Sequence, residues 1–160
     1  MRSFDVIQRT ATAIKQVGFR CEAYVLSVSR EDSLLGVFQR FEGDKQRTGV
    51  GRFSPIDVHD EAYQQSPVNL AKANAEMLFD RIVVYTRQTD GQLQIGLDTA
   101  GDQPQSTDFV AGFERLRQPI FTKSFYHEQC IALGALARQR AETNETYLRQ
   151  IGEFIHHYSY

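Results

Sequence analysis

The dipeptide Asp90-Gly91 lies between the apolar run Ile82, Val83, Val84, Tyr85 and the alternating residues Leu93, Ile95, Leu97, and it constrains this chain more than any other feature. Both central residues of a type I′ turn need positive φ, which Asp-Gly tolerates, so the spacing predicts a β-hairpin with a two-residue loop. Such a loop sets a register in which Leu93 faces Gln88, Ile95 faces Thr86, Leu97 faces Val84 and Thr99 faces Ile82. Leu93, Ile95, Leu97, Val84 and Ile82 then share one side, and Tyr85 stands opposite Gly96.

A helix leads into this hairpin. Ser66 and Pro67 read as its start, with Ser as the cap and Pro at the first helical position, where a missing N–H costs nothing. Val68, Ala71, Ala75 and Leu78, widened by Leu70 and Phe79, supply its apolar face.

Toward the N-terminus, Ser3 caps a helix carrying Phe4, Ile7, Ala11 and Ile14 on one stripe, and Gly18 with Phe19 suits a left-handed stop with an apolar lock. Residues 20–29 alternate as a strand. Residues 34–41 read as a second strand, with a short helix as the alternative, and residues 48–53 as a third, weakened by Gly49 and Gly51. Residues 55–65 are polar and loop-like. Beyond the hairpin, residues 99–106, with Gly101 and Pro104, are expected to be the most mobile internal loop. A helix from about Thr107 carries Phe109, Phe113 and Leu116 on one side and is interrupted by Pro119, and the last third is helical with a break near Thr143 and Asn144.

The expected fold is therefore α+β: an N-terminal helix, a mainly antiparallel sheet of about five strands with an interrupting helix, and a helical C-terminal third, all in a single globular domain over residues 1–160. That order of elements is similar to the one used by small secretion chaperones and related dimeric binding proteins. The resemblance implies a protein that works by binding a partner.

At 160 residues the chain is long enough to build a core without metal or disulfide. Its net charge of −2 supplies no pull toward nucleic acid or an anionic membrane. The N-terminus lacks the apolar run of a secretion signal, and no stretch approaches the roughly 18 apolar residues of a membrane span. Cys21 and Cys130 are far apart in segments that read as core, which points to the cytoplasm.

Three places carry candidate chemistry. Gly49 and Gly51, flanked by Arg47 and Arg52 with Arg40 and Lys45 nearby, form a candidate anion site, although neither a dinucleotide fingerprint nor a P-loop is present. His59, Asp60 and Glu61 are a candidate acid/base cluster. His127 and Cys130 sit one helical turn apart, where a buried structural cysteine is the simpler reading. No metal-ligand spacing, catalytic motif or cofactor fingerprint is found, so no cofactor and no catalytic residue are assigned.

Residues 131–137 contain no polar side chain. A helix apolar all round must be covered, so Ile131, Leu133 and Leu136, with Ile151 and Phe154 further on, are expected to form a homodimer interface. These features favour a non-enzymatic, chaperone-like adaptor or regulatory protein that self-associates and takes a protein partner. The alternative is a small enzyme acting on an anionic metabolite through His59 with Arg47 and Arg52.

Overall fold

The structure, a computed structural model, describes residues 3–100 and 106–159, with only the backbone of residues 106 and 107. It divides into two compact units, Met1–Ser29 with Asp60–Gln118, and Arg30–His59 with Pro119–Tyr160.

The first unit holds α1 (Phe4–Gln16), β1 (Glu22–Leu26) and most of a long helix that begins in the second unit. It also holds β2 (Arg81–Arg87), β3 (Leu93–Asp98) and a later helix, Ser106–Arg115. Helix α1 forms on its expected stripe, with Ile7 and Ala11 buried. Gly18 ends it at φ +82°, and the Gly18 N–H donates to the Lys15 carbonyl. Phe19 is exposed and locks nothing, and Ser3 makes no side-chain cap bond.

Only three strands form a sheet among the described residues, in the order β1-β2-β3, with β1 parallel and β3 antiparallel to β2. The expectation of about five mainly antiparallel strands is therefore corrected to a small mixed sheet. Its central strand carries Ile82, Val83 and Val84, all buried, as a strand covered on both sides requires. Ala23, Ile82 and Val84 pack with Leu70, Ala71, Phe109 and Phe113 into this unit's core.

The hairpin exists, but its loop is one residue longer than expected. The Gln88 N–H donates to Gln92 and the Gly91 N–H to Gln88, so Thr89, Asp90 and Gly91 form a three-residue loop with Gly91 at φ +84°. The extra residue shifts the distal pairs to Arg87 with Leu93, Thr86 with Gln94 and Tyr85 with Ile95. A bulge at Gly96 restores Val84 opposite Leu97, and Thr99 donates its N–H to Ile82 as the original register required. Gly96 is bare because the Leu116 side chain lies over it, 2.5 Å from where a Cβ would stand. Of the loop expected at residues 99–106, residues 101–105 lie outside the described residues.

In the second unit, residues 34–41 are helical: α2 runs Arg30–Thr48 and buries Leu34, Leu35, Phe38, Phe41 and Glu42, a helical spacing. Residues 49–55 have no regular structure, which removes the other expected strand. Helix α3 covers Ile56–Ala75, so the expected polar loop is helical too and Pro67 lies inside the helix. Helix α4 is the Ser106–Arg115 segment, while α5 (Lys123–Gln139) and α6 (Glu145–His157) complete the second unit. Thr122 and Asn144 cap these last two by accepting from the N–H groups of Phe125 and Tyr147. Their inner faces join α2 in an aromatic core of Phe38, Phe41, Tyr126, Tyr147, Phe154 and Tyr158.

Candidate functional site

Helix α2 stops at Thr48 because Gly49 turns left-handed, at φ +74°, while its N–H still donates to Lys45. The chain then doubles back on the helix it has just left. A Cβ on Gly51 would stand 2.8 Å from the Phe41 carbonyl oxygen and 2.9 Å from Lys45 Cγ, so only glycine permits the approach. Phe53 closes the return by packing on Phe38, Phe41 and Tyr147, with ring centroids 5.9, 5.5 and 5.2 Å apart.

Arg40 and Arg52 are the immediate neighbours of this contact between residues 41 and 51. Both are exposed, and among the described residues neither side chain takes part in an ion pair or a hydrogen bond. Arg47 differs, since its guanidinium holds Asp44 at 2.8 Å. Helix α2 and the loop after it thus each present one uncommitted guanidinium, and the backbone is tied down on both sides of Arg52, an arrangement whose planar forks could accept an anion.

The acid/base cluster lies in the first turns of α3 and not in a loop. His59 is buried, its Nε2 is 2.8 Å from Ser33 Oγ, and its backbone N–H donates to Pro55. Asp60 is half-buried and Glu61 exposed. On α5, Cys130 is fully buried, which pushes its thiol up to about 12, and His127 Nε2 meets Ser159 Oγ at 3.1 Å. A thiol so placed is no nucleophile near neutral pH. Among the described residues no group of His, Cys, Asp and Glu is arranged to hold a metal ion.

Of the residues expected at a homodimer interface, Leu133, Ile151 and Phe154 are buried in the core of their own unit. Ile131 and Leu136 face outward.

Sequence reasoning missed a buried ionic network in the second unit. The Glu42 side chain is 2% exposed and receives both terminal nitrogens of Arg140, at 2.6 and 3.1 Å. Arg140 also donates to Glu142 at 2.8 Å, and Lys45 reaches the same carboxylate at 3.5 Å. Burial alone would raise the Glu142 carboxyl, but Arg140, the N–H groups of Asn144 and Thr143, and Lys45 hold it down at about 2. The Tyr147 hydroxyl, buried beside Glu42, has no hydrogen-bond partner among the described residues, and burial and that carboxylate push it well above its ordinary value. The one legible signal was Glu42 standing in line with Phe38 and Phe41 on the apolar stripe.

The family model for Zeta toxin matches residues 1–94, more than half of the chain. Toxin zeta of Enterococcus hirae is 32% identical over 109 residues, and toxin zeta of Streptococcus pyogenes is 31% identical over 109. Each match takes in 66% of this chain and 37% of the relative, so the chain spans little more than a third of the length of the curated relatives it matches. No helix among the described residues is long and apolar enough to cross a membrane. These matches overturn the expectation of a non-enzymatic, chaperone-like adaptor or binding protein, and the small-metabolite enzyme offered as its alternative is set aside with it. Its element order resembled that of secretion chaperones only through strands that do not form; the chain belongs to the zeta toxin family.

Proposed function

We propose that this chain acts as a toxin with a kinase-like, phosphoryl-handling activity, in which Arg40 and Arg52 hold the anionic group. The carrying observation is the pair of exposed arginines with uncommitted side chains, next in sequence to Phe41 and Gly51 where these two meet, in a segment under the zeta toxin family model. Guanidinium suits phosphate because its planar fork donates two parallel hydrogen bonds and keeps its charge at any physiological pH. The 160 residues contain no Gly-x-x-x-x-Gly-Lys-Ser/Thr loop, so the cradling of a nucleotide is not assigned to them. Arg47 and Gly49 have supporting roles in this reading, one tied to Asp44 and the other ending the helix.

A protein partner fits the same reading, because a cell that makes a toxin needs something to hold it in check. Induced expression in a bacterial host, followed by culture density and colony counts, tests the proposal. Growth arrest by the wild-type chain and growth with the Arg40→Gln, Arg52→Gln double variant are expected. Unimpaired growth with soluble wild-type chain overturns the toxin reading, and equal arrest by the double variant overturns the role of the arginines.

A further inference from the structure

We propose that Arg140 and Glu142, at the turn between α5 and α6, form a positioning clamp for the anion-holding loop of α2; the inference rests on the reading of Arg40 and Arg52 given above. Both clamp residues lie outside residues 1–94, the span of the family model. The geometry runs through one continuous set of contacts. Arg140 grips Glu42 with two hydrogen bonds, one helical turn before Lys45. Lys45 joins Glu142 at its ammonium end, lies over the Phe41 ring at 5.5 Å, and packs its Cγ against Gly51. Gly51 is followed by Arg52, and Phe41 is preceded by Arg40.

The last two turns of α2 are therefore held by charge at Glu42 and Lys45 and by the returning loop at Phe41 and Lys45. Tyr147, on α6, touches helix and loop alike: its ring packs tilted against Phe41 at 4.5 Å and edge-on against Phe53 at 5.2 Å, and its hydroxyl stands beside Glu42. Glu142 fixes its own segment by accepting from the Thr143 and Asn144 N–H groups at 2.9 Å. Two carboxylates and two cations balance inside this network, so loss of either Arg140 or Glu142 leaves a buried charge that must find a new position. Lys45 is the member of this network that also touches the 49–53 loop, so a displaced charge is passed to Gly51 and from there to its neighbour Arg52.

The clamp residues touch no ligand in this scheme. They act through Lys45, Phe41 and Gly51 on where the Arg52 guanidinium stands. Loss of a group that orients a ligand-holding side chain costs roughly tenfold in affinity at the low end, by analogy with the outer partners of metal ligands.

Calorimetric titration with inorganic pyrophosphate, on variants first shown to be folded by circular dichroism, tests the clamp. Arg140→Met is expected to weaken binding about tenfold and Arg140→Lys to recover part of the loss. Should Arg140→Met fail to fold, Glu142→Gln decides, since it keeps an acceptor for the Thr143 and Asn144 N–H groups but loses the charge that holds Lys45. Wild-type affinity in folded Arg140→Met, or in Glu142→Gln, overturns the clamp, provided Arg52→Gln has lost affinity. Wild-type affinity in Arg52→Gln overturns the anion-holding reading itself.

Discussion

The guanidinium of Arg117 donates to the carbonyl oxygen of Tyr63, the one helical acceptor that Pro67 leaves without its N–H. The same group lies over the Tyr63 and Phe113 rings at 3.7 and 4.9 Å, with its side chain 8% exposed. A proline in mid-helix is thus repaired from α4's end of the chain. Replacement of Arg117 by Met is expected to cost about 2–3 kcal/mol, since a charged hydrogen bond and stacking are lost together. In a Pro67→Ala background the new N–H serves Tyr63, so the same replacement should cost about 1 kcal/mol less. Urea unfolding of the double-mutant cycle measures this, and equal costs in both backgrounds would show that Arg117 does not compensate for the proline.

Stability is expected to fall in acid through both units. Arg81 and the Ala100 N–H hold Asp98 at about 2, and Glu142 is held at about 2 by the contacts already described. Both folded values lie below the ordinary carboxylate range of roughly 4. Their stabilising contribution is therefore complete above the ordinary value and is lost as pH falls through it toward 2. Urea midpoints followed down that range should fall less steeply for Asp98→Asn and Glu142→Gln than for the wild type. Parallel curves would mean that neither carboxylate is specially stabilised in the folded chain.

Three glycines on and after α2 should respond to alanine in three different ways. At Gly51 a Cβ meets backbone 2.8 Å away, and overpacking of this kind costs about 1–3 kcal/mol. Gly49 has open space but φ +74°, a strain of about 1 kcal/mol for alanine. Gly43 sits inside α2 with open space and no positive φ, where alanine gains about 0.5–1 kcal/mol of helix propensity. Thermal unfolding of the three variants would expose an error in the loop geometry if Gly51→Ala behaved like Gly43→Ala.

Where local pattern alone decides structure, the fold was legible. Helix α1, the central strand β2, and helices α4, α5 and α6 follow from apolar spacing and caps. The stretch from Leu34 to Phe41 was not, because Leu34, Leu35, Val37 and Phe38 satisfy strand preferences while only their burial with Phe41 reveals the helical face. Ser66-Pro67 imitated a helix start because the compensating donor, Arg117, is 54 residues away from Tyr63. The hairpin register slipped by one since Asp90-Gly91 serves a three-residue loop as well as a two-residue one, and the Gly96 bulge hid the shift. At the candidate site, the Gly-x-Gly loop and its arginines stood out locally. The Arg140–Glu42 contact, 98 residues apart in sequence, left no periodic trace to read.

The anion-holding role of Arg40 and Arg52 is tested most directly by following side-chain and backbone N–H resonances of the isotopically labelled chain during titration with inorganic pyrophosphate. Saturable shifts centred on the Arg40 and Arg52 Nε–H groups and the backbone of residues 49–53, absent in Arg52→Gln, are the expected result. Shifts that never saturate, or that gather elsewhere on the chain, would contradict it.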